Sequence, residues 1–206
     1  MSLNSLPLNI RECYKVYEFR HANAILQIDF PNEYNDIIGM LNAFKLRKSD
    51  IMLAGGRKSP IAGFLDEFLT GNKTKKIAGR GWEEKSFDTK LIIDKTEHDT
   101  PTHKIDCYKN RIALEIEWNN KDPFFDRDLN NFRLLHERNA ISVGVIVTRC
   151  SELQKIFNNL GKKIKDKYGQ STTHIGKLLP RIEGGSGGGC PLLVFGITDK
   201  LYYENE

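Results

Sequence analysis

The run Arg111-Ile-Ala-Leu-Glu-Ile-Glu-Trp118 constrains this chain more than any other segment. Ile112, Leu114, Ile116 and Trp118 point one way, and Ala113, Glu115 and Glu117 the other, which is the period of a β-strand. Two acids therefore share a face. If Lys109-Asn110 forms a two-residue turn, Tyr108 pairs with Arg111, Cys107 with Ile112 and Asp106 with Ala113. Asp106 then joins the acidic face, with Glu115 as its diagonal neighbour at roughly 7–8 Å between backbones, a gap that two carboxylates can close onto one ion. The same register sets Ile105 and Cys107 beside Ile112 and Leu114. Like charges on a half-buried sheet repel and lose hydration, so the arrangement calls for a cation. Oxygen-only ligands favour a hard ion such as Mg²⁺. The competing reading is an amphipathic edge strand whose acids face water.

The chain around this hairpin reads as alternating strands and helices. Strands are expected at Tyr14 to Phe19 and Ala24 to Phe30, followed by a helix from about Asn32 to Phe44. Lys45 to Ser59 has the composition of a basic surface loop. Ser59 as N-cap and Pro60 at the first position start a helix that runs to Gly71. Strands at Thr89 to Ile93, His103 to Tyr108 and Arg111 to Trp118 are expected to form the centre of a sheet, with Asp94 to Thr102 as a polar connection. A helix begins at Asp122-Pro123, and Ile141 to Thr148 is a strand buried on both faces. Ser151 caps a helix with apolar positions from Leu153 to Ile164, and Leu192 to Ile197 is the last strand. The glycine run 184–189 reads as flexible, either a surface loop or one ordered by DNA. It lacks the Lys-Ser/Thr ending of a phosphate loop.

Charge is distributed unevenly. The net charge is only +4, but acids gather between Asp106 and Asp128, while basic residues cluster at Lys45-Leu-Arg-Lys48, Arg57-Lys58, Lys73-Thr-Lys-Lys76 and Lys162 to Lys167. An acidic centre flanked by basic segments suits a polyanion held by its phosphates, although each cluster alone is also what a solvated surface looks like. The four cysteines lack the paired spacing of a zinc site. No apolar run is long enough for a bilayer span and no signal segment opens the chain, so a cytoplasmic protein without a membrane partner is expected. At 206 residues, 39% of them hydrophobic, one folded domain is expected over residues 1–206.

Asp106, the run Arg111 to Trp118, Phe124-Phe-Asp-Arg-Asp-Leu, Ile141-Ser-Val-Gly-Val and Pro191-Leu-Leu-Val-Phe-Gly-Ile197 together resemble a type II restriction endonuclease of the PD-(D/E)xK superfamily, in the BglII and BstYI group. The likeness covers the second half of the chain. In the first half only the helix from Ser59-Pro60 and the pair Gly81-Trp82 look similar. The resemblance implies an α/β fold, a restriction-endonuclease-like core in which a central mixed β-sheet is flanked by helices. Residues 88–206 would form the catalytic core, and residues 1–87 helical additions that embrace DNA. It implies a Mg²⁺-dependent homodimer enclosing double-stranded DNA.

By the same likeness Asp106, Glu115 and the carbonyl of Ile116 would bind metal. Glu117, standing where most members carry lysine, would orient or deprotonate the attacking water, and it adds an anion that raises the demand for metal. Glu67, or its neighbour Asp66, is the candidate for the helix acid that the family usually adds. Asn119, Asn120 and Lys121 follow the acidic strand where related enzymes approach the major groove, though these residue types also make ordinary turns. Arg57, Lys58, Lys73, Lys75 and Lys76 are candidate phosphate contacts. Arg127, Arg133 and Arg138 stay divided among phosphate contact, dimer interface and plain surface. A structure-specific repair nuclease and a non-catalytic DNA-binding module on the same fold are the competing functions.

Overall fold

A strand that is apolar on both sides must be covered on both sides, and Val143–Arg149, buried at all of its positions, organises everything around it. The computed structural model describes residues 2–53, 58–100 and 102–204. After a short 3₁₀ turn come α1 (Leu8–Cys13), β1 (Tyr14–Phe19), α2 (Ala22–Asp29), α3 (Pro31–Ala43), β2 (Leu46–Arg47), α4 (Lys48–Met52) and α5 (Pro60–Thr70). The chain continues through β3 (Glu83–Lys85), β4 (Lys90–Ile93), β5 (Thr96–Asp99), β6 (Ile105–Lys109), β7 (Ile112–Glu117) and α6 (Phe124–Glu137). It ends with β8 (Val143–Arg149), α7 (Gln154–Asn159), α8 (Lys162–Lys167), α9 (Ile175–Glu183), β9 (Leu192–Ile197) and β10 (Tyr202–Tyr203).

The main sheet has the order β1-β9-β8-β7-β6-β3. Strands β7, β8 and β9 are parallel, while β1, β6 and β3 are antiparallel to their neighbours, so the sheet is mixed. Leu114, Ile116 and Val145 pack on one face with Ile37, Leu41, Leu65 and Leu69 of α3 and α5. Ala113, Ile146 and Val194 pack on the other with Phe125, Leu129 and Phe132 of α6 and Leu178 of α9. This is the expected α/β core, a central mixed sheet flanked by helices. No helix among the described residues is long and apolar enough to cross a membrane.

Gly144 lets α6 come close to β8. A Cβ there would stand 2.5 Å from Phe132 Cδ2 and 2.9 Å from Leu192 Cδ2. Gly144→Ala is therefore expected to destabilise the protein by about 2–3 kcal/mol, read as a lower urea midpoint at unchanged slope.

Several expectations need correction. Ala24 to Phe30 is not a strand but lies mostly in α2. Arg20 and His21, at φ 57° and 60°, turn the chain out of β1, and helical spacing buries Ala22 and Leu26 while leaving Ile28 77% exposed. Thr89 to Ile93 is not central to the sheet. Lys90–Ile93 pairs with Thr96–Asp99 in a separate exposed hairpin, turned at Asp94-Lys95 with φ 47° and 67°. The polar residues assigned to a connection form its second strand, held by backbone bonds and the Lys90–Glu97 pair at 2.8 Å rather than by a core. Lys45 to Ser59 is not all loop, since β2 and α4 fall within it. The helix from Ser151 is broken into a 3₁₀ turn, α7 and α8 at Gly161, whose φ is 101°.

The glycine segment after α9 is exposed at Gly184, Gly185, Ser186 and Gly189 but packed at Gly187 and Gly188. Cβ atoms at Gly187 and Gly188 would meet Leu192 Cδ1 at 2.7 Å and Arg133 Cγ at 2.5 Å. Helix α9 itself was not anticipated, although Ile175, Leu178, Leu179 and Ile182 carry a helical stripe.

Candidate active site

The hairpin that carries the acids turns at Asn110-Arg111, not Lys109-Asn110. Both turn residues have positive φ, 43° and 69°, as the common two-residue hairpin turn requires, and asparagine tolerates that region best. Lys109 pairs with Ile112, Tyr108 with Ala113 and Cys107 with Leu114. Each β6 residue has thus moved two places along β7 from the expected partner. A slip of one would exchange the faces of the strand, but a slip of two preserves them.

One further departure aims Asp106. Strand β3 pairs Glu83 with Tyr108 but Lys85 with Ile105, so β6 holds one residue more than its neighbour over that interval. This is a β-bulge, a device that redirects side chains. Ile105, expected beside Ile112 and Leu114, packs instead on the opposite face with Ala113, while Cys107 stays with Leu114. Asp106 sits within this irregularity. Its Oδ2 accepts the Ile116 N–H at 2.9 Å, and its own N–H donates to Glu115 Oε2 at 3.3 Å.

Glu115 and Glu117 are each 1% exposed and share their side of β7 with Asp128 of α6, which is fully buried. Sequence reasoning did not single out Asp128, because an acid on a helix ordinarily marks a solvated face. Arg127 ties the group together. Its Nη2 lies 2.8 Å from Asp128 Oδ1 and 3.5 Å from Glu117 Oε1, and its guanidinium covers the Phe124 ring at 4.2 Å. Arg127 is thereby an ion-pair partner of the acid group. Arg133 and Arg138 are engaged with Glu137 on the surface.

Burial raises the pKa of every acid in this group. Glu117 is pushed up to about 9 by burial and by the nearby charge of Asp128. Asp128 rises to about 6 through burial, held down by Arg127. The proton between these two therefore resides on Glu117. Glu115 is raised well above the ordinary range by burial, then by Asp128 and Asp106, while Asp106 is raised by burial against the opposing Ile116 N–H and Lys58. Glu115 Oε1 is buried with no hydrogen-bond donor among the described residues, and Asp128 Oδ2 has none there besides the proton held by Glu117.

In front of the acids lies a cleft of about 530 Å³. Asp106, Ile116, Asn119, Asn120 and Lys58 line it, but among the described residues Glu115, Glu117 and Asp128 do not. Asn120 joins the two regions by donating from Nδ2 to Glu117 Oε2 at 2.9 Å. Asn119 donates to the Lys167 carbonyl at 3.2 Å, and Lys121 is exposed, bridged to Thr172.

Of the two helix acids, Asp66 lines the cleft, ion-paired to Lys58. Glu67 turns away from it, accepting from Asn72 Nδ2 at 2.7 Å and from Lys75 at 2.9 Å. Lys73, Lys75 and Lys76 are exposed on the turn beyond α5 and do not line the cleft, and Arg57 lies outside the described residues.

The donor set suits a hard divalent ion. Carboxylates crowded out of water, with Glu115 Oε1 lacking any donor among the described residues, are stabilised by a cation. Among the described residues no three His, Cys, Asp or Glu side chains converge into a metal cage. Two carboxylates with a carbonyl, completed by water and substrate phosphate, do not require one.

Comparison with known proteins identifies the family of the chain. A search of curated proteins finds no match. The family model described as restriction endonuclease BglII/BglIII matches residues 14–197, taking in β1, the acidic hairpin, α6 and β9. These are site-specific DNA-cleaving enzymes of the PD-(D/E)xK type, which generally use a divalent metal. A match over most of the chain, on a fold with that core, makes this protein a DNA-binding nuclease of the BglII/BglIII restriction endonuclease family.

Proposed function

We propose that the catalytic centre of this restriction endonuclease is the Asp106, Glu115 and Glu117 group, working with Mg²⁺ in a cytoplasmic homodimer that cuts each strand of duplex DNA once. The observation that carries the proposal is the crowding of the buried Glu115 and Glu117 carboxylates with the half-buried Asp106, the one of the three that lines the cleft. Asp106, Glu115 and the Ile116 carbonyl would hold the ion. Oxygen donors in this number suit Mg²⁺, which takes one or two carboxylates and leaves room for phosphate. The chemistry supplied by such an ion is a lowered pKa of bound water and neutralisation of the scissile phosphate.

The chain's own groups do the rest. Glu117 would orient the attacking water or take its proton, for which it must first release the proton it holds against Asp128. Arg127 beside it favours that release, and Asn120 fixes its second oxygen. Lys58 stands in the cleft where a phosphate would pass. Asp66 is better placed than Glu67 to serve as the helix acid. Asn119, Asn120 and Lys121 would face base edges, with Arg57, Lys73, Lys75 and Lys76 on flanking phosphates.

Plasmid digestion with purified protein and Mg²⁺, followed by end-sequencing of the fragments, tests the reading. Discrete fragments ending at one shared sequence are expected, and Asp106→Ala should remove them. Cutting confined to nicks, forks or single-stranded regions would overturn it.

A further inference from the structure

One strand over from the acids, at the same end of the parallel strands, lies a second cavity of about 260 Å³, walled by Arg149, Ser151, Gln154, Gln170, His174 and Lys177. All six side chains can donate a hydrogen bond and none is an acid. Arg149 ends β8, next to Thr148, which stands level with Glu117. It is 1% exposed. Its Nη2 donates to the Tyr168 carbonyl at 3.1 Å and to Thr172 Oγ1 at 2.8 Å, but Nε has no acceptor and no carboxylate pairs with the guanidinium among the described residues. Binding one carbonyl and one hydroxyl needs only a neutral donor. A buried charge without a counter-ion is costly, and an anion in the cavity would offset that cost.

The rest of the wall has the same polarity. Ser151 Oγ and His174 Nδ1 are 3.0 Å apart. Burial lowers the His174 pKa to about 4, and the nearby charges of Arg149 and Lys177 act in the same direction against that of Asp122. Helix α9 begins here, with His174 as its N-cap and no side-chain cap on its first N–H groups, so its positive end adds to the charges of Arg149 and Lys177. A Cβ at Gly176 would stand 2.9 Å from Ser151 Oγ and 3.2 Å from His174 Nδ1, so glycine keeps that pair in place. The neighbouring acids are engaged elsewhere or at long range. Asp122 Oδ2 lies 3.5 Å from Lys177 and is shared with Arg181 at 3.7 Å, and Glu152 pairs with Lys15.

We infer that this cavity is a phosphate-binding site distinct from the cleft, taking a backbone phosphate of bound DNA or a free phosphate ion. The DNA source rests on the nuclease reading, and its geometry favours it. Thr173 donates to the Asn120 carbonyl at 2.9 Å, and Thr173 Oγ1 accepts the Asn120 N–H at 3.2 Å, which couples the cavity wall directly to the cleft.

The test uses metal-free protein in EDTA. Inorganic phosphate, against chloride at equal ionic strength, should raise Tm by about 3–5 °C at ten times its Kd. Titration calorimetry should give one site per chain. Lys177→Gln and Gly176→Ala, both outside the core, should each weaken phosphate binding at least about 5-fold. No phosphate binding, or unchanged affinity in both variants, would overturn the inference. Duplex affinity measured against salt distinguishes the sources. Lys177→Gln should flatten the logarithmic slope by about 0.9 per site if DNA supplies the phosphate, whereas a loss of phosphate binding with an unchanged slope assigns the site to the free ion. Neither readout requires cleavage. A protein that cuts DNA but ignores phosphate sinks this inference alone, and one that binds phosphate but never cuts sinks the catalytic proposal alone.

Discussion

Glu115→Gln is expected to lower DNA cleavage by about 10³-fold or more while raising the melting temperature of the metal-free protein. The two effects have one cause. Glu115 is 1% exposed, one of its oxygens has no donor among the described residues, and burial together with Asp128 and Asp106 makes its charge unwelcome there. Glutamine keeps the shape, removes an ionisation that favours the unfolded chain, and brings a donor into a region crowded with carboxylate oxygens. Relieving an unsatisfied buried group is worth about 1–3 kcal/mol, or about 3–8 °C in a chain of this size. A carboxylate proposed to hold the ion cannot be replaced so cheaply in catalysis. Scanning calorimetry in EDTA and timed plasmid digestion with Mg²⁺ measure both quantities. A variant that melts lower and cuts normally would remove Glu115 from the centre.

How far the sequence led can be seen in this same hairpin. The alternation from Ile112 to Trp118 identified the two faces correctly even though the turn was placed one residue early, because the resulting slip was even. Periodicity reports faces and is blind to even slips. It is equally blind to a bulge, which is why Ile105 was assigned to the wrong side and the aim of Asp106 was not foreseen. Asp128 and Arg127 were hidden for a different reason. Their meeting with Glu117 depends on how α6 crosses the sheet: Asp128 stands three residues after Phe125 and four before Phe132, on the apolar stripe, but that spacing does not say which strand acid it meets. Glu67 and Asp66 illustrate the same limit at a spacing of one residue. Helical position alone could not tell which faces the cleft, whereas the packing of Leu65 and Leu69 against the sheet decides it. The exposed β4–β5 hairpin was missed because its second strand has no apolar face to reveal it. Elements that bury a stripe, such as α5, β8 and β9, were legible.

The stability of the metal-free protein should fall as pH rises from about 4.5 to 9, and Mg²⁺ should oppose that fall most strongly at the alkaline end. The sign follows from where protons reside. An unfolded glutamate or aspartate releases its proton near pH 4. In the folded protein Asp128 holds its proton to about pH 6 and Glu117 to about pH 9, with Glu115 raised as well. Below pH 4 both states are protonated and the group contributes no pH dependence. Between the unfolded and folded values the native state binds more protons than the unfolded one, so each rise in pH favours unfolding. Each tenfold difference in proton affinity between the folded and unfolded chain corresponds to about 1.4 kcal/mol. Several such factors across this window give a loss of a few kcal/mol, or a Tm about 5–15 °C lower at pH 9 than at pH 5 in EDTA. A cation bound by ionised carboxylates competes with their protons, so the stabilisation by Mg²⁺ grows with pH and binding releases protons into the buffer. Glu117→Gln should flatten the profile above pH 6, because it removes a group that holds its proton to about pH 9. A metal-free profile that rises toward pH 9, or one that Glu117→Gln leaves unchanged, would show that these acids are already ionised and hydrated in the free protein.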